Sequence, residues 1–156
     1  MGSHRLIYFR TDGNSQIATG HLMRCLSIAQ ACQVLSLPVC FLASDEDSAS
    51  LLKQFDPAET FPVRILSSAV YNDMEKELPE LLSLLSKAPS LLFVDSYFVT
   101  EPYLQAVSGI CPVAYLDDLQ LFDYPVDLVI NYDIIPADML PSYQAAYKWA
   151  GQTLLG

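Results

Sequence analysis

Short apolar, β-prone runs alternate with longer helical patterns from one end of this chain to the other, and that alternation narrows the fold more than any other feature. A strand followed by an amphipathic helix is led back to the same edge of its sheet. The expected class is therefore α/β, with a Rossmann-like, mostly parallel sheet flanked by helices. Six strands are expected, over residues 5–10, 38–43, 62–66, 91–95, 112–116 and 127–131.

The intervening segments carry helix signals. Over 20–36, Leu22, Cys25, Leu26, Ala29 and Cys32 follow helical spacing and only Gln33 interrupts the apolar face. A second helix is expected after Ser44, with Asp45, Glu46 and Asp47 at its positive end. Residues 72–87 are helical in pattern but contain Pro79, which either kinks one helix or stands near the start of a shorter one. Glu75, Glu77 and Glu80 in this segment read as a solvated face. Thr100-Glu101-Pro102 offers a cap and an early proline for a helix ending near Gly109. After Asn131 the regularity weakens, and residues 143–149 suggest a short helix or an irregular cap. Tyr8, Phe41, Phe93, Phe98, Tyr115 and Trp149 read as packing residues.

At 156 residues, 52% of them apolar, the chain suits one domain over 1–156 with one substantial core. Eight basic against 18 acidic residues give a net charge of −10, which argues against a nucleic-acid or anionic-membrane partner. Cys25, Cys32, Cys40 and Cys111 show neither CxxC spacing nor the density of a disulfide scaffold, and are expected as reduced, buried thiols. The apolar run 6–9 is too brief for a secretory segment, so a cytoplasmic protein is expected. Met1 to His4 read as an added segment ahead of a native start near Arg5, and His4 is left out of the site.

Ligands of open parallel sheets gather outside the carboxyl ends of the strands. Polar residues collect there: Arg10 and Asp12 after the first strand, Asp95, Ser96 and Tyr97 after the fourth, Asp117 and Asp118 after the fifth, and Asn131 at the sixth. Between the first strand and first helix, His21 follows Gly20 where the helix should begin. Helix N–H groups and the helix dipole there favour an uncharged ring able to accept a proton. Gly13 and Gly20 suit either a loop that approaches a ligand closely or ordinary turns. Asp12 can meet a ligand or orient Arg10 and His21, and Asn14 supplies neutral hydrogen-bonding groups. Arg24, one turn beyond His21, can bind a phosphate or pair with Asp12. Neighbours on an extended segment point to opposite sides, so one of Asp117 and Asp118 is expected to be structural. No further His or Cys stands at ligand spacing, so no metal or other cofactor is expected.

The pattern Arg10-x-Asp12-Gly13-Asn14-x-x-Ile17-x-x-Gly20-His21-x-x-Arg24 resembles the opening signature of the UDP-sugar hydrolases of pseudaminic acid biosynthesis and of related spore-coat polysaccharide proteins. Asp95-x-Tyr97 and Asp117-Asp118 match the same family, whereas Ala18 stands where it usually has glycine. The resemblance covers the N-terminal half of such enzymes. It implies half of a GT-B-like fold, with a second α/β half supplying most nucleotide contacts from outside this chain. It further implies a UDP-linked diacetamido-trideoxy hexose, cleaved by water at its anomeric carbon without a metal. His21 is then the catalytic residue, and Arg10, Asp12, Gly13, Asn14, Gly20, Arg24, Asp95, Tyr97, Asp117, Asp118 and Asn131 are substrate-binding. The acceptor-side half of a glycosyltransferase and a non-catalytic sugar-binding or interaction domain remain the alternatives.

Overall fold

The computed structural model describes residues 5–88 and 90–155, which leaves Met1 to His4 outside the described residues. In chain order the strands are β1 (Leu6–Thr11), β2 (Val39–Ala43), β3 (Val63–Ile65), β4 (Ser90–Asp95), β5 (Val113–Asp117), β6 (Leu128–Asn131) and β7 (Gln152–Leu155). The helices are α1 (Gly20–Val34), α2 (Glu46–Phe55), α3 (Leu78–Leu85), α4 (Glu101–Ser108) and α5 (Leu140–Ala146). The strands form one seven-stranded sheet in the order β3-β2-β1-β4-β5-β6-β7, every neighbouring pair parallel. Six of them lie where the apolar runs placed them. The seventh, β7, is an addition to the expected count. At the sheet's edge its side chains alternate between exposed and half-buried, so it lacks the continuous apolar run of a buried strand. Its pairing begins with Gln152 N–H donating to the Asp127 carbonyl at 2.8 Å.

Successive side chains of β1 go to opposite faces. Ile7 and Phe9 join Phe41 and the apolar stripe of α1 (Leu22, Cys25, Leu26, Ala29 and Cys32), together with Leu52 of α2. Tyr8 faces the other way, with Leu92, Val94, Val113, Tyr115 and Val129, and is covered by Leu81, Leu84 and Leu85 of α3 and Tyr103, Leu104 and Val107 of α4. Across the centre of the sheet Phe9 stacks on Phe41 at 5.3 Å and on Phe93 at 4.8 Å between ring centroids. This aromatic ladder locks β2, β1 and β4 into register.

Local chemistry explains the helix boundaries. Asp45 caps α2 by accepting from Ser48 N–H at 2.7 Å, and Thr100 caps α4 by accepting from Tyr103 N–H at 3.3 Å. Pro79 stands in the first turn of α3, after a separate 3₁₀ turn at Met74–Glu77, so it begins a short helix rather than kinking a long one. The four cysteines are free, three buried and Cys40 half-buried. Two expectations need correction. Glu77 is not on a solvated face: it is 0% exposed. Trp149, 55% exposed, and Phe98 are not core residues. Among the described residues no helix is long and apolar enough to cross a membrane.

Candidate active site at the sheet switch point

The strand order reverses between β1 and β4: from this pair the chain builds outward to β3 on one side and to β7 on the other. Connections leaving β1 and β4 go to opposite faces of the sheet, which opens a crevice at their carboxyl ends. His21 is the second residue of α1 and Asp95 the last residue of β4, so both side chains meet in that crevice. His21 continues the buried stripe of α1 by one turn and is only 5% exposed. Helix packing therefore sets where the ring sits.

His21 Nδ1 is hydrogen-bonded to Asp95 Oδ1. Arg24 grips the same carboxylate with both arms of its fork, Nε to Oδ2 at 3.1 Å and Nη2 to Oδ1 at 2.9 Å. Arg24 Nη2 also lies 2.8 Å from His21 Nδ1. One ring nitrogen cannot both accept from a guanidinium and donate to a carboxylate. Since Arg24 already has Asp95 as its acceptor, the arrangement that pairs every group has Nδ1–H donating to Asp95. Nε2 is then the ring's basic nitrogen, and it has no hydrogen-bond partner among the described residues. Burial pulls the Arg24 guanidinium down, but the hydrogen bond and charge of Asp95 outweigh it and raise it, so it stays charged. The Cys25 thiol, 3.9 Å from Asp95 Oδ2, is pushed well up by burial and by that carboxylate.

Asp12, Ile17, His21, Asp95, Ser96, Tyr97 and Phe98 line a small recess with a cavity volume of about 10 Å³. That is about the space of one water molecule, so a sugar would sit over the mouth of the recess rather than inside it. The Tyr97 ring stands edge-on to His21 with centroids 4.5 Å apart and planes at 75°.

The remaining sequence candidates divide sharply. Arg10 is not a ligand-facing residue. Strand alternation turns it into the layer beneath α3 and α4, where it is fully buried, with Nε bonded to Glu77 Oε1 at 2.8 Å and Nη1 to Asp12 Oδ2 at 2.6 Å. Burial opposes its charge, and Asp12 and Glu77 more than restore it. Tyr103 donates to Glu77 at 2.7 Å, and burial and that carboxylate push its hydroxyl well up. Asp12 orients Arg10 but not His21, its other oxygen accepting from Ser44 N–H and Oγ–H at 2.7 and 2.9 Å. Arg24 pairs with Asp95, not Asp12.

Gly13 answers a packing need: a Cβ there would lie 2.5 Å from Leu22 Cδ1, and neither Gly13 nor Gly20 has a positive φ. Gly20 simply opens α1. Asn14 closes its own turn by accepting from Gln16 and Ile17 N–H at 2.8 and 3.0 Å. Asp117 is the structural member of its pair, accepting from the hydroxyls of Tyr124 and Tyr147, each at 2.7 Å. Asn131 is likewise inward, donating to Tyr147 at 3.0 Å.

Asp118 faces the crevice, where its Oδ2 accepts from Tyr97 at 2.9 Å and from Tyr132 at 2.5 Å. Burial and hydrogen bonding to Asp118 raise both phenols, which keeps them protonated donors. Tyr132 is absent from the sequence candidates, as is Glu77. The Tyr132 ring lies under Arg24, 4.1 Å from the guanidinium carbon to the ring centroid. Its place immediately after a strand that ends in the crevice was the available signal.

The site thus belongs to a parallel α/β domain with a histidine–carboxylate pair at its switch point. No family model and no curated protein matches the chain.

Proposed function

We propose that this chain is the sugar-binding, water-activating half of a nucleotide-sugar hydrolase that releases UDP from a diacetamido-trideoxy hexose. The observation that carries the reading is the buried Asp95–His21 pair at the carboxyl edge between β1 and β4, with Nε2 left as the basic nitrogen. A neutral imidazole whose far nitrogen is tied to a carboxylate is a suitable general base, because the carboxylate fixes the tautomer and stabilises the imidazolium that forms. Water attacks the anomeric carbon as Nε2 takes its proton. The bond from that carbon to the phosphate oxygen breaks with its electron pair, and UDP leaves.

Asp12 and Tyr97 border the recess beside His21, over which this reading sets the sugar. With Arg10 enclosed and Arg24 Nε and Nη2 both turned to Asp95, the opening motif offers the diphosphate little positive charge. The reading assigns the diphosphate contacts to a second α/β half, as the sequence resemblance implies.

The complete gene product, incubated with the UDP-linked sugar in ¹⁸O-water, is expected to release UDP and free sugar without any acceptor, with the label on the sugar's anomeric hydroxyl. Label in UDP, or no release, contradicts the reading. Release that requires an acceptor alcohol points instead to a glycosyltransferase.

A further inference from the structure

Six side chains from four parts of the carboxyl edge form a closed circuit around the Asp95–His21 pair. Asp95 holds His21 and Arg24; the Arg24 guanidinium lies on the Tyr132 ring; Tyr132 and Tyr97 both donate to Asp118; and the Tyr97 ring closes on His21. The hydrogen bond through Nδ1 fixes one end of the imidazole but lets the ring swing about that bond. The Tyr97 ring, its centroid 4.5 Å from that of His21 and its plane at 75°, bounds the swing on that side.

Tyr97 is itself 40% exposed, with little packing to hold its own ring. Its anchor is its hydroxyl on Asp118. Both tyrosines converge on Asp118 Oδ2, while Oδ1 is buried without a hydrogen-bond partner among the described residues. Removing the charge of Asp118 therefore weakens two donors' bonds at once. Tyr132 has a second role: its ring supports Arg24, which carries the carboxylate that holds His21.

We propose that Asp118 and Tyr132 are positioning residues for His21, acting through Tyr97 and Arg24 rather than by touching the substrate. The kinetic part rests on the hydrolase reading above; the geometric part does not. Angular misplacement of a general base affects the chemical step more than ground-state binding. Asp118→Asn is expected to lower kcat about tenfold with little change in KM. Tyr97→Phe, which keeps the ring but cuts its tether, is expected to act similarly. The double variant should be no worse than Asp118→Asn alone, because that variant already weakens the Tyr97–Asp118 link.

The test pairs these kinetics with proton NMR of the full chain. Cross-relaxation between the His21 and Tyr97 rings is expected in the parent and lost or strongly weakened in Asp118→Asn and Tyr97→Phe. Tyr132→Phe, which keeps its ring under Arg24, covers the case in which Asp118→Asn does not fold, and it is expected to weaken the same signal partially. Persistence of the full signal in these variants overturns the proposal, as do additive losses of kcat or a loss confined to KM. A signal that disappears as expected in a protein that never releases UDP leaves the circuit standing and removes the hydrolase reading instead.

Discussion

His21 and Asp95 are 74 residues apart in the chain and hydrogen-bonded in the fold, one at the start of the helix after β1 and the other at the tip of β4. Asp95 is 1% exposed, and its carboxylate pairs with the Arg24 guanidinium while it holds the ring. Asp95→Asn keeps the shape and removes that charge. On the hydrolase reading, turnover is expected to fall about 100-fold, the scale of a misdirected general base. Steady-state kinetics with a matched thermal melt checks this, and turnover within threefold of the parent speaks against the pair.

The Arg10–Glu77 pair is a matter of stability. Both side chains are fully buried, with a tyrosine hydroxyl and Asp12 completing the network. Without Glu77, Arg10 keeps only Asp12 and its Nε and Nη2 lose their buried partner, so Glu77→Ala is expected to cost about 3 kcal/mol in urea unfolding. A loss below about 1 kcal/mol, the scale of a surface pair, returns Glu77 to the solvated face that its sequence suggested.

Gly13 is expected to resist even the smallest side chain. The added methyl of Gly13→Ala would sit 2.5 Å from Leu22 Cδ1 and 2.9 Å from its Cγ, an overpacking of about 1–3 kcal/mol. Leu22→Ala in the same chain relieves the clash, so the double variant should lose less than the sum of the two single losses. Simple additivity in denaturant titrations contradicts this.

Glu80 gives stability an acid limb. Hydrogen bonds from the Ser68 hydroxyl and N–H, and then from Ser67, bring its carboxyl down from 4.5 to about 2. A carboxyl lowered by folding contributes stability that is fully present above its unfolded value and lost as pH falls through its folded one. Stability is expected to decline from near pH 4.5 towards pH 2, and Glu80→Gln should flatten that part of the curve. An unchanged slope in the variant contradicts the assignment.

Much of this was legible because it is local. Six strands, the apolar stripe of α1, the cap Thr100 and the division of labour between Asp117 and Asp118 all follow from period and neighbour chemistry, while Asp45, expected inside the first turn of α2, is its cap. His21, Asp95 and Tyr97 were readable as a group because strand tips and the first helix start share one sheet edge. Glu77 was not, since its partner lies 67 residues away and nothing beside it marks it as buried. Arg10 misled for the same reason: its place at a strand tip suggested the crevice, while strand alternation turned it inward. Tyr132 carried a local signal, its place directly after β6, but its contacts with Arg24 and Asp118 join segments far apart in the chain.

The central claim is that Nε2 of His21 activates the attacking water, and turnover of His21→Ala in the complete enzyme tests it most directly. Loss of a general base removes about 10²–10⁴-fold of rate, and a fall of that size in a variant that still unfolds cooperatively above the assay temperature is the expected result. Turnover within a few-fold of the parent contradicts the account.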